Sequence, residues 1–140
     1  MLSTTQTLEV LPYELKWVEG LNRGDASVAN EVFHDDALIH INGAPKPDLS
    51  VEEFTQMVGG LLGAFPDLHF TIEDQFVSDN KVSTRWTAEG THTGSLGELP
   101  ASGKRIKVDG IIVDYLQDGK VTERWEQWDQ MGMMQQLGVF

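Results

Sequence analysis

The sequence predicts a single α+β domain in which helices come first and a curved antiparallel sheet follows. Three observations carry that expectation. Apolar residues recur at helical spacing as far as Pro66 and at strand spacing after it. Val, Ile, Thr, Phe and Trp crowd four segments beyond Pro66. Two turn signals, Ser78-Asp79-Asn80 and Asp118-Gly119, join those segments into neighbouring pairs. This is the pattern of one sheet covered by helices on one side. A chain of 140 residues builds one core and not two, so residues 1–140 read as one domain.

Taken in order, residues 4–11 can begin a helix, and Pro12 suits the first turn of a fresh one. Leu11, Leu15, Val18 and Leu21 follow at helical spacing, and Asn22-Arg23-Gly24 ends the run. Asp25 caps a second, short helix with Val28, Val32 and Phe33 on its apolar side. ALIHIN, at 37–42, reads as a short strand, and the two prolines of 43–50 mark a loop. Ser50 and Glu53 form a capping box for a third helix, whose stripe is Phe54, Met57, Val58, Leu61, Leu62 and Phe65. Strands are expected over 68–77, 81–93, 105–117 and 120–128, as a four-stranded antiparallel meander. SLGELPASG, at 95–103, is long enough to act as a flap, and MGMMQQLGVF closes the chain as a short helix or tail.

Composition narrows the function. A net charge of −12 argues against nucleic acid, whose binding depends on Lys and Arg neutralising phosphates, and it disfavours anionic membranes. No apolar run reaches the roughly 18 residues of a membrane span, and the N-terminus carries no signal-like segment. With no cysteine there is neither disulfide nor thiolate site, and the four histidines lack metal-ligand spacing, so no metal is expected. A cytoplasmic protein is the simplest reading.

What remains is acid–base chemistry in the concave space that a curved sheet leaves against its helices. VTERWEQWDQM, at 121–131, sets three acids among two tryptophans. Strand alternation puts Glu123 with Trp125 on one face and Glu126 with Trp128 on the other, while Asp129 falls where a helix cap belongs. The preceding strand is partly apolar on both faces, so it should be covered by the pocket on one side and by a partner subunit or loop on the other. A two-residue Asp118-Gly119 turn pairs Gln117 with Lys120. Continued without a bulge, that register sets Glu123 opposite Asp114 and Asp109 opposite Trp128. The two acids then stand on opposite faces, roughly 16 Å apart, unless a bulge intervenes. His40, Arg85 and His92 can border the same cavity. Each group also has an ordinary structural reading: Glu123 and Arg85 as ion-pair partners, Asp109 as a surface acid, the tryptophans as core or interface.

From Arg85 onward, RWTAEGTHTG, PASGK, DGKVTERWEQWD and QQLG together resemble the SnoaL-like polyketide cyclases of the nuclear transport factor 2-like superfamily. The upstream order of helix, FHDDALIH, helix and FPDLHF fits as well. The resemblance implies a cone-shaped α+β barrel of the nuclear transport factor 2-like or cystatin-like kind, dimeric or tetrameric, with its pocket inside the cone. It implies ring closure by intramolecular aldol condensation without metal or cofactor. Carried over by position, the final-strand acid is Glu123. The family's assisting histidine falls on Asp109, an acid where an imidazole is expected, and the two would then share the cavity. Trp17 becomes a pocket aromatic.

The expected protein is therefore a cofactor-free acid–base enzyme of the cyclase type, acting on an apolar, carbonyl-bearing small molecule. Glu123 and Asp109 would be catalytic, and Trp17, His40, Arg85 and Trp125 would hold the substrate. The alternatives are a non-catalytic ligand-binding or dimerisation module, or a hydrolase or isomerase on the same scaffold.

Overall fold

A computed structural model describes residues 10–139 of the chain. Of the helix start expected at 4–11, only Val10 and Leu11 are described, and neither is helical; the rest lies outside the described residues. Helix α1 (Pro12–Asn22) opens on its proline, and a 3₁₀ turn (Ala26–Val28) is capped by the Asp25 side chain. Helix α2 (Ala29–Val32) leads straight into strand β1 (Phe33–Ile41). Helix α3 (Val51–Ala64) starts on the capping box, with Ser50 and Glu53 each bonding the other's backbone N–H. Strands β2 (His69–Ser78), β3 (Lys81–Thr91), β4 (Arg105–Gln117) and β5 (Lys120–Trp128) follow, and helix α4 (Gln130–Gln136) is capped by Asp129. No helix among the described residues is long and apolar enough to cross a membrane.

The sheet is curved and unclosed, in the order β1-β5-β4-β3-β2. Strands β2 to β5 form the expected antiparallel meander. The short strand at 37–42 proves longer, beginning at Phe33, and adds a fifth member parallel to β5. Its free edge is partly covered where Ile39 and Leu49 exchange backbone hydrogen bonds. The α helices pack on the inner face. Trp17 stacks on Phe54 and meets the edge of Phe33, tying α1, α3 and β1 together at ring separations near 5.7 Å. Burying rings of this size stabilises the fold by roughly 1.5–3 kcal/mol each.

The hairpin at Asp118-Gly119 pairs Gln117 with Lys120, both turn residues having positive φ, as the two-residue turn requires. The register then slips at a bulge between Tyr115 and Leu116. Glu123 therefore stands opposite Tyr115, and Asp114 stands opposite Arg124, which corrects the bulge-free register. One extra residue on β5 exchanges the faces of every residue beyond it relative to β4. Beyond the bulge, Arg124, Glu126 and Trp128 share the inner face with Asp114, Ile112 and Gly110. Glu123, Trp125 and Gln127 share the outer face with Tyr115, Val113 and Ile111.

The flap at 95–103 is fixed at both stems. The N–H groups of Thr93 and Gly94 donate to the Ala64 carbonyl at the end of α3. A Cβ on Gly94 would be built into the Gly63 carbonyl oxygen, so only glycine permits this approach. At the other stem, buried His92 accepts the Ser102 backbone N–H on Nδ1.

Candidate active site

The inner face of the sheet, α1, α3, α4 and the flap enclose a cavity of about 520 Å³. Its walls are apolar, with Trp17, Phe54, Phe70, Trp86 and Trp128 supplying the aromatic surface. Two carboxyl groups open onto it, Glu14 from the first turn of α1 and Glu126 from β5. The sequence places both there by simple periodicity. Tyr13, Glu14, Trp17, Gly20 and Leu21 form the buried stripe of α1, and Arg124, Glu126 and Trp128 are the inward positions of β5.

Behind the cavity lies a buried ionic cluster. Arg124 is fully buried and makes a two-pronged pair with Asp114, from Nε to Oδ1 at 2.7 Å and from Nη2 to Oδ2 at 2.9 Å. Its Nη2 also donates to Glu14 Oε2 at 3.3 Å, and the Tyr13 hydroxyl donates to Asp114 Oδ2 at 2.7 Å. The guanidinium carbon lies 5.4 Å from the Trp17 ring centre and 4.9 Å from that of Phe33. Glu126 is only partly engaged. Its Oε1 is 3.8 Å from Arg124 Nη1, close enough for charge attraction and too far for a hydrogen bond. Both atoms are buried without a hydrogen-bond partner among the described residues.

One guanidinium thus serves three buried carboxyl groups, and they cannot all be ionised cheaply. Burial pushes Glu14 up to about 8; Arg124 opposes the shift, and Asp114 and Glu126 add to it. Burial likewise pushes Glu126 up to about 7, against the pull of Arg124 and with repulsion from Asp114. Burial alone would lower Arg124, but Asp114 and Glu14 hold it well above its ordinary value. Burial thus raises both groups from the ordinary carboxylate range to near neutrality. A carboxyl group of that kind, facing an apolar cavity, can take a proton and return it.

The same shifts fix how stability depends on pH. Both carboxyls bind protons more tightly folded than unfolded, so their contribution is full below the unfolded value near 4.5 and is lost as pH rises through about 7 and 8. The unfolding free energy from chemical denaturation should therefore fall between pH 5.5 and 8.5, by roughly 1–3 kcal/mol per pH unit. Glu14→Gln should flatten the slope, and an unchanged slope would refute the assignment.

The residues singled out from sequence fall in two places. Trp17 lines the cavity. Glu123, Asp109, Arg85, His40 and Trp125 do not; they lie on or beside the outer face, which corrects their expected placement. Glu123 Oε2 is 2.7 Å from His40 Nε2, and the His40 ring stacks on Trp125 with centres 3.8 Å apart. Trp125 is half exposed. Arg85 pairs with Asp74 across to β2 at 2.7 Å. Asp109 is exposed on the same face as Glu123, but it lies six residues along β4 from Tyr115, roughly 20 Å at strand rise. The two acids share a face, but it is the face away from the cavity, which corrects the shared cavity that the resemblance implied. Glu14, Glu126, Arg124, Asp114 and Tyr13 were missed. The signal for them was present in Arg124-x-Glu126-x-Trp128 on one strand face and Glu14-x-x-Trp17 on one helix face. Among the described residues, no group of three His, Asp or Glu side chains is arranged to hold a metal ion.

Comparison with known proteins agrees with this architecture. The sequence profile of the SnoaL-like polyketide cyclases matches residues 13–137. IdmH from Streptomyces antibioticus, a proposed polyketide cyclase, superposes with a TM-score of 0.79 at 28% identity, covering 91% of this chain and 96% of its own. AclR from Streptomyces galilaeus, a proposed hydroxylase, gives 0.82 at 24% identity over 91% and 80% of the two chains. A proposed SnoaL-like polyketide cyclase from Jannaschia sp. CCS1 gives 0.79 at 17% identity over 96% and 99%. The last two speak for the fold alone. No curated protein matches the chain by sequence.

Proposed function

The chain belongs to the SnoaL-like polyketide cyclase family, and we propose that it is a cofactor-independent acid–base enzyme of the cyclase type, with Glu126 as its acid–base group. The observation that carries this reading is a carboxyl group in the wall of a largely apolar cavity, 8% exposed and poised near neutrality. The ionised form of Glu126 takes a proton from a carbon next to a ligand carbonyl, leaving an enolate. The enolate carbon attacks a second carbonyl of the same molecule, a carbon–carbon bond forms, and the new alkoxide takes the proton back from Glu126. Arg124, 3.8 Å away, favours the ionised form without locking it in a hydrogen bond. Glu14 is engaged by the hydrogen bond from Arg124 Nη2, which leaves Glu126 as the base. Trp17 and the other aromatics hold the apolar body of the substrate.

The first half-reaction has a direct assay. In deuterium oxide the protein should accelerate exchange of the α-hydrogens of 2-tetralone, a small apolar ketone, followed by proton NMR. Exchange no faster than in buffer would count against the reading.

The outer face fits the expected association of copies. Leu38, Trp125, Ile111 and Phe76 leave large apolar surface in water there, Ile111 at 51% exposure. We take a second copy of the chain, in a cytoplasmic homodimer or a homotetramer built from it, as the partner. Sedimentation equilibrium should give a dimer or tetramer mass that falls to the monomer in Trp125→Glu; a monomeric native protein would refute this.

A further inference from the structure

We infer that Asp114 is a positioning residue of the site: it holds the Arg124 guanidinium so that one unpaired corner, Nη1, stands beside Glu126 without hydrogen-bonding to it. The inference deepens the acid–base reading above and rests on it for the role of Glu126.

A guanidinium carries five N–H donors in one rigid plane, so fixing two of its nitrogens places the third. Arg124 engages three of those donors. Nε donates to Asp114 Oδ1 at 2.7 Å, and Nη2 donates to Asp114 Oδ2 at 2.9 Å and to Glu14 Oε2 at 3.3 Å. The other two belong to Nη1, which is buried and unpaired among the described residues. It lies 3.8 Å from Glu126 Oε1, an acceptor that is itself buried and unpaired. A charge-assisted hydrogen bond is among the stronger ones, so two such atoms left facing each other are being held apart.

The two-pronged pair is what holds them. Asp114 stands directly opposite Arg124 because the bulge between Tyr115 and Leu116 slips β5 against β4. Both side chains are fully buried, so water does not loosen the pair. The Tyr13 hydroxyl bonds Asp114 Oδ2 at 2.7 Å from the side of α1. Trp17 and Phe33 pack against the guanidinium and limit its rotation. Asp114 itself does not line the cavity, whereas Glu126 does. Its effect on the chemistry therefore passes through Arg124.

The spacing matters for a base. An approach of about 1 Å would bring Nη1 onto Oε1 and lock Glu126 as a carboxylate of little basicity. The charged and titratable groups around Glu126 are Arg124 on its own strand, Asp114 from β4, and Glu14 and Tyr13 from α1. Among them Asp114 acts twice in one direction. It keeps the guanidinium at a distance, and its own charge repels the ionised form of Glu126.

Asp114→Asn removes that charge and one prong of the pair. In the folded variant the Glu126 carboxyl, followed by carbon-13 NMR, should titrate at lower pH, its acid constant rising roughly tenfold. The pH profile of tetralone exchange should move with it, and kcat above the midpoint should fall severalfold with KM near native. A contribution to folding alone would leave the midpoint in place, so an unmoved carboxyl midpoint overturns the inference. The native protein gives a second reading that does not depend on the variant folding. With arginine labelled in nitrogen-15, the exposed Arg23, Arg85 and Arg105 average their Nη signals by rotation and exchange with water. Arg124, held by Asp114, should show separate Nη1 and Nη2 signals. The Nη1 signal should move as Glu126 titrates, and Glu126→Gln should abolish that movement. A single averaged signal, or an Nη1 signal indifferent to Glu126, overturns the inference. If the native protein fails to exchange tetralone while these signals behave as expected, the catalytic reading falls and the positioning of Arg124 by Asp114 stands.

Discussion

Glu126→Gln will abolish tetralone exchange down to the buffer rate while leaving the fold intact. Positioned acid–base groups contribute about 10²- to 10⁴-fold, and the amide is a near-isostere that can neither accept nor return a proton at neutral pH. The group is 8% exposed, so its loss is not masked by water reaching the same spot. Its unpaired Oε1 means the substitution breaks no hydrogen bond at that atom. Removing a carboxyl that burial has pushed up to about 7 should stabilise the protein slightly above that pH. A variant less active and no less stable separates a chemical role from a structural one. Glu123→Gln, on the outer face beside His40, should leave exchange unaffected.

The second large effect is on folding. Arg124→Met removes the cation from a cluster that holds Asp114, Glu14 and Glu126. Breaking one side of a buried pair costs about 3–5 kcal/mol, because the partner charge is left without compensation. Asp114 would keep only the Tyr13 hydroxyl among the side-chain bonds described for it, and Trp17 and Phe33 would lose the guanidinium stacked over them. The variant should be unfolded or nearly so at pH 8. Adding Asp114→Leu should recover most of the loss, since a buried pair replaced as a whole by apolar groups is often neutral. Urea denaturation of the single and double variants decides this; equal stabilities would show that Asp114 and Arg124 are not the coupled pair described.

Most of the architecture was legible because it is written in local signals. The Ser50–Glu53 capping box, the Asp118-Gly119 hairpin, the Asp129 cap and the change of period at Pro66 each depend on a few adjacent residues, and each stands where expected. The parallel pairing of β1 with β5 was not legible, since it joins residues more than 80 positions apart. The site was misread for a related reason. Alternation along β5 correctly separated Glu123 and Trp125 from Glu126 and Trp128, but it cannot say which face is inner. Tryptophan suggested burial, and Trp125 instead stacks on His40 and stays half in water. The bulge at Tyr115, one residue long, then reversed how β5 meets β4. A better guide was the β4 face of Ile106, Val108 and Ile112, the apolar set that the inner cavity requires. Following it across the slipped register leads to Arg124 and Glu126.

The proposed chemistry requires a carboxyl group at position 126 that is half-ionised at neutral pH in the cavity wall. Carbon-13 NMR of the protein labelled at the glutamate side-chain carboxyls measures this directly, with each signal assigned from its loss in Glu126→Gln or Glu14→Gln. The Glu126 signal should titrate with a midpoint near 7 and Glu14 near 8. A Glu126 midpoint at the ordinary value near 4.5 would rule out Glu126 as the acid–base group.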